Sequence, residues 1–196
     1  MTQYRGRQLP KAMRLGKRQN REKCFAIQRQ DRKGVKEMDK KEKTNVMRVL
    51  EQKKVAYTPH TYTQDAATPG EEIARILGED PKKVFKTLVT KGKTGTNYVF
   101  VIPVESELDL KKAAKAVGEK SIEMIKQKEL LPLTGYVHGG CSPIGMKKQF
   151  VTVFHDTAMN YDTIFFSAGK VGYQVEVSPG DISKVIRFEL HDVVSV

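Results

Sequence analysis

The stretch from Lys86 to Val104 sets the strongest limit on how this chain can fold. Lys86-Thr87-Leu88-Val89-Thr90 and Tyr98 to Val104 are strand-like runs, and residues 91–97 between them are rich in Gly and Lys. Two such runs joined by a short turn read as an antiparallel hairpin. A hairpin is unstable alone and needs more strands or a helix on its apolar face. Val55 to Tyr62, Phe150 to Phe154, Thr163 to Ser167, Tyr173 to Val177 and a terminal run supply further strands. Short helical patterns stand between them. Val46, Met47, Val49 and Leu50 recur at helical spacing from Thr44 to about Lys53. Thr68-Pro69-Gly70-Glu71 offers a capping threonine, a proline at the first helical position and a glutamate three residues after the cap, with Gly78 as the stop. Asp80-Pro81 repeats the device, Leu108-Asp109-Leu110 opens a helix that ends at Gly118, and Ser178-Pro179-Gly180-Asp181 caps another. Hairpins with interspersed helices predict an α+β fold on a largely antiparallel or mixed sheet, not a doubly wound one.

Charge divides the chain. Of the net +12, residues 1–43 hold 15 Lys/Arg against 5 Asp/Glu, whereas residues 44–196 hold 20 against 18. Residues 1–43 therefore read as a basic, disordered leader and residues 44–196 as one nearly neutral domain. Such a leader can serve as an RNA-binding tail, since Lys and Arg displace counterions from phosphates without a fold. The competing reading makes residues 1–37 an over-extended translation start, because Met38-Asp39-Lys40-Lys41-Glu42-Lys43 resembles a natural bacterial start leading into the first helix. No stretch reaches the roughly 20 apolar residues of a membrane span, and no apolar segment follows the charged N-terminus, so a cytoplasmic protein without a membrane partner is expected. Cys24 and Cys141 form no CxxC or Cys/His spacing, so free thiols and no metal or other cofactor are expected.

Three features can carry chemistry. Gly139-Gly140-Cys141-Ser142-Pro143-Ile144-Gly145 lies between strand-like stretches, and its paired glycines let backbone amides turn inward to hold an oxyanion, or simply make a tight connection. Ser167-Ala168-Gly169-Lys170-Val171-Gly172 is a second small-residue loop after a strand, without P-loop spacing. Lys86 follows Val84 and Phe85 at the head of an apolar strand, where a partly buried cation implies an anion to meet; alternatively its stem packs while the ammonium reaches the rim. Thr87 beside it can be a strand residue only. Cys141 invites a nucleophile reading, but a catalytic thiol needs a base and an orienting group. His138 is three residues away, and His60, His155 and His191 show no spacing that implies a triad.

Val84-Phe85-Lys86-Thr87-Leu88, Leu108-Asp109-Leu110-Lys111-Lys112, Gly135-Tyr136 with the loop 139–145, and Ser167-Ala168-Gly169-Lys170 occur together in this order. In these motifs residues 44–196 resemble the YbaK family, whose relatives also form the editing insertion of bacterial prolyl-tRNA synthetases. The resemblance implies a compact mixed, barrel-like β-sheet surrounded by short helices. It implies hydrolytic removal of a wrong amino acid from tRNA, mainly from Cys-tRNA(Pro); a domain at only net +2 should bind tRNA weakly alone, so partnership with prolyl-tRNA synthetase is expected. Carried over residue by residue, Lys86 is the family's essential lysine, meeting the 3′ end of the tRNA. Gly139, Gly140, Cys141, Ser142 and Pro143 form the loop whose amides polarise the ester carbonyl. Ser167 and Gly169 line the aminoacyl pocket, with Thr87 beside the lysine and Tyr62 on the opposite wall. The chain departs from YbaK itself at Pro69, where an aromatic is expected before Gly70, and at Gln174, where an acid is expected.

Cysteine fits a proline pocket closely enough that binding alone discriminates poorly, so a second hydrolytic site is the expected remedy. The resemblance implies a substrate-assisted route in which the cysteinyl thiol attacks its own carbonyl to give a thiolactone. An alanyl-tRNA(Pro) deacylase using an activated water, and a non-catalytic tRNA-binding module, are the alternatives.

Overall fold

The computed structural model describes residues 43–63 and 68–195. Residues 1–42 of the basic leader, with Cys24 and the alternative start at Met38, lie outside those residues. The first helix, α1 (Asn45–Gln52), is capped by Thr44, whose Oγ1 accepts from the Met47 N–H at 3.4 Å, and it buries Val46, Met47 and Leu50. Strand β1 (Tyr57–Thr61) leads to α2 (Gly70–Leu77). The α2 cap falls on Pro69 and not on Thr68: the proline keeps an extended ψ of 144°, so only its carbonyl joins the helix, accepting from Glu72 and Ile73. A 3₁₀ turn, Pro81–Lys83, is capped as expected by Asp80.

The anticipated hairpin forms from β2 (Phe85–Gly92) and β3 (Asn97–Pro103), in register from Phe85 with Pro103 to Lys91 with Asn97. Then follow α3 (Leu110–Ala116), capped by Asp109, β4 (Ile122–Met124), α4 (Gln127–Thr134) and β5 (Val151–His155). The chain continues through a 3₁₀ turn, Asp156–Asn160, to β6 (Ile164–Ser167), β7 (Tyr173–Val177), α5 (Pro179–Ile182) and β8 (Glu189–His191).

These strands make two sheets, β1-β7-β6 and β4-β2-β3-β5-β8. The first is antiparallel; the second is mixed, because β5 runs parallel to both β3 and β8. The fold is thus the mixed α+β class expected, but the barrel does not close. Strand β2 already ladders with β3 on one edge and β4 on the other, so only Val84, ahead of the strand, bridges to Phe165 of β6. One face of the larger sheet packs Tyr98, Phe100 and Ile102 against Ala113 and Ala114 of α3. A smaller cluster, Ala74, Val84, Val104 and Phe165, ties α2 to both sheets.

Candidate active site

Between the two sheets lies a cavity of about 640 Å³, within the size range of small-ligand sites. Of the residues singled out in the sequence, Tyr62, Lys86, Thr87, Gly139, Cys141 and Ser167 border it. Gly140, Ser142, Pro143 and Gly169 are not part of that lining; Ser142 is fully buried and turns its hydroxyl to the Ile144 N–H at 3.4 Å. Pro69 and Gln174, the two departures from YbaK, are both on the wall.

Successive residues of a strand point to opposite faces. Thr87 shares a face of β2 with Phe85 and Val89, whereas Lys86 leaves on the face of its partner Ile102. The Lys86 ammonium is partly exposed and lies 3.3 Å from Glu107 Oε1, and Glu107 is itself 85% exposed. An ion pair that open to water holds weakly and can be exchanged for an arriving anion. The Thr87 Oγ1 is buried and has no hydrogen-bond partner.

The glycine loop is built as a turn. Gly139 has φ 76°, the left-handed value required at the third position of a type II turn, and the Gly140 N–H closes that turn onto the Val137 carbonyl at 3.1 Å. The Gly140 amide is therefore engaged within the loop itself. Its missing side chain serves packing: a Cβ there would stand 3.1 Å from the Val171 nitrogen and 3.3 Å from the Lys170 carbonyl carbon, so the two small-residue loops meet backbone to backbone. Among the described residues, the amides of Gly139 and Cys141 enter no hydrogen bond.

Cys141 is 9% exposed, and burial pushes its thiol up to about 12, with the Thr134 hydroxyl pulling weakly the other way. At neutral pH it is a thiol and not a thiolate nucleophile. His138 borders the cavity but is exposed. Tyr62 is tied by its N–H to the Gly172 carbonyl at 2.9 Å, and burial raises its phenol, which keeps the proton.

Two groups of residues escaped the sequence reading. Glu107 sits in a polar segment with nothing to mark it as the partner of Lys86. The other group lies on one face of the small sheet, where cross-strand pairing sets His60 and Ser167 on either side of Gln174, and Phe165 beside Glu176. His60 Nε2 is 3.2 Å from Glu176 Oε2, and His60 Nδ1 is 3.8 Å from Glu79 Oε1. The Glu79 side chain is 4% exposed and neither of its oxygens has a hydrogen-bond partner. Burial, and then the Glu176 charge, push its carboxyl up to about 7. The period-two placement of polar residues at His60, Gln174 and Glu176 was the available signal for this face; its partner from the Gly78-Glu79-Asp80 corner gave none.

The profile of the aminoacyl-tRNA editing domain matches residues 63–185, which carry nearly all of the cavity wall. The chain belongs to this family, and its class is that of an aminoacyl-tRNA deacylase. A relative from Enterococcus faecalis, assigned by name as a Cys-tRNA(Pro)/Cys-tRNA(Cys) deacylase, EbsC, is 44% identical over 153 residues, covering 78% of this chain and 93% of its own length. Proline–tRNA ligase of Thermosipho melanesiensis is 29% identical over 119 residues, 60% of this chain but 19% of that enzyme, so the likeness is to one part of a larger protein. Among solved structures, one titled as a trans-editing enzyme for prolyl tRNA synthetase superposes with TM-score 0.66 at 22% identity over 78% of this chain and 96% of that one. The hypothetical protein APE2540 does so with TM-score 0.69 at 20% identity over 78% and 100%. At those identities the structural likeness speaks to the fold. No helix among the described residues is long and apolar enough to cross a membrane.

Proposed function

We propose that this deacylase acts in trans on mischarged Cys-tRNA(Pro), releasing cysteine as its thiolactone, with prolyl-tRNA synthetase as its partner. The observation that carries the reading is the state of Cys141: among the described residues it is the one thiol bordering the cavity, and it is buried and neutral, which argues against a protein nucleophile and supports attack by the substrate's own sulfur. The cysteinyl sulfur attacks its own ester carbonyl, the bond from that carbon to the 3′ oxygen breaks, and the thiol proton passes to the departing 3′ oxygen. The protein folds the aminoacyl group into reacting geometry and steadies the developing oxyanion. Lys86 exchanges Glu107 for the negatively charged 3′ end, and the Gly139 and Cys141 amides face the carbonyl. The similarity to EbsC over nearly its whole length supports the substrate.

The test charges tRNA(Pro) with Cys, Ala or Pro and follows release by the purified chain. Cys is released fastest and is recovered as thiolactone, and Lys86→Ala abolishes the release. Faster release of Ala, or release of free cysteine without thiolactone, refutes the proposal.

A further inference from the structure

The wall between the sheets carries two buried oxygens without partners, Thr87 Oγ1 from β2 and Gln174 Oε1 from β7. Gln174 is 5% exposed. A buried polar atom without a partner costs free energy, so native proteins keep few, and a pair on one cavity wall points to a ligand. The Gln174 oxygen can only accept and the Thr87 hydroxyl can accept as well as donate, so a ligand group that donates suits both. A thiol has one weak donor, whereas an ammonium has three, enough in number for both oxygens.

The charge behind the wall has the matching sign. His60 lies directly opposite Gln174 across the β1/β7 ladder, their Cβ atoms about 5 Å apart by strand geometry. It carries Glu79 on one ring nitrogen and Glu176 on the other. Two carboxylates and one imidazole stay net negative until the set has bound two protons. No three such side chains among the described residues are arranged to hold a metal ion, so this negative tier is not a cation site itself. Lys86, on the opposite face of β2, contributes its positive charge at the rim, where the anionic 3′ end belongs.

We infer that Gln174 and Thr87 accept the α-ammonium group of the aminoacyl ester and that the His60–Glu79–Glu176 tier makes the site select that protonated amine. The inference rests on the aminoacyl-tRNA reading of the cavity. A neutral carboxamide makes the direct contact while the carboxylates stay one residue behind it.

The test compares Cys-tRNA(Pro) with 3-mercaptopropionyl-tRNA(Pro), which keeps thiol and ester but lacks the amine. The wild-type chain favours the amine-bearing substrate in kcat/KM by about 10- to 100-fold, the range for a hydrogen bond to a charged group. Gln174→Met removes most of that preference by slowing Cys-tRNA(Pro) alone, and Thr87→Val, which deletes only the hydroxyl, acts in the same direction. Should Gln174→Met fail to fold, Thr87→Val carries the comparison. Equal slowing of both substrates, or a wild type indifferent to the amine, overturns the inference and leaves the deacylase reading standing. No release of Cys from tRNA(Pro) by the wild type overturns that reading and this one with it.

Discussion

Glu79→Gln should make the protein more stable at alkaline pH and leave it unchanged in acid. Glutamine imitates the protonated carboxyl, and Glu79 is buried beside His60 with neither oxygen bonded. Its carboxyl rises from an ordinary 4.5 to about 7, first through burial and then through the Glu176 charge. The native state therefore binds the proton more tightly than the unfolded chain. Stability is full below about 4.5 and is lost as pH climbs through 7, the reverse of a salt-bridged carboxylate. At about 1.4 kcal/mol for each tenfold change in proton affinity, the wild type loses about 1 kcal/mol by pH 5, about 2 by pH 6 and about 3 by pH 8 relative to the variant. Urea unfolding of both proteins at these pH values gives the difference directly, since urea leaves charges unscreened. A difference that stays constant from pH 4 to pH 8, or that grows in acid, would refute a buried, proton-hungry Glu79.

Other perturbations separate the roles of the loop residues. Cys141→Ala should keep most of the deacylation and cost about 1 kcal/mol in urea unfolding, as a small truncation in a buried site does; loss of turnover with a normal fold would restore a protein nucleophile. Gly140→Ala should destabilise by about 1–3 kcal/mol, because its Cβ would press on the backbone of Lys170 and Val171 and not on a movable side chain; unaltered unfolding would show that the loops are not in contact. Glu107→Gln should change stability by less than about 1 kcal/mol, since the pair with Lys86 is open to water. In the deacylation assay the same variant should not raise KM, because Lys86 gives up Glu107 on binding; a clear rise would mean that Glu107 itself touches the substrate.

What could be read in advance followed the range of the interaction. The β2–β3 hairpin, the Asp80 and Asp109 caps and the α1 stripe are local, and each residue's neighbours in sequence decide them. The parallel pairing of β5 with β3 and β8 joins distant segments whose apolar runs would fit other partners equally well. The same limit governs the site. Lys86 stood out because a lysine beside Val84 and Phe85 is unusual, whereas Gly78-Glu79-Asp80-Pro81 looks like any solvated turn. It is the return of the chain after α2, with the Glu79 N–H on the Ala74 carbonyl at 2.8 Å, that carries the carboxylate inward. The two loop glycines were indistinguishable by composition. Which amide faces the cavity depends on the phase of the turn, and that phase places Gly139 at its positive-φ position.

The pairing of β1 with β7 also sets when the enzyme comes into being. Tyr57 ladders with Val177, and Ser167 and Gln174 join the wall only with the last third of the chain. Emerging from the ribosome, the hairpin with Lys86 can fold early once α3 and β4 have followed to cover and extend it, since those contacts are close in sequence. The strand bearing His60 must wait for its mate to be translated, and until then the chain has a lysine but no pocket.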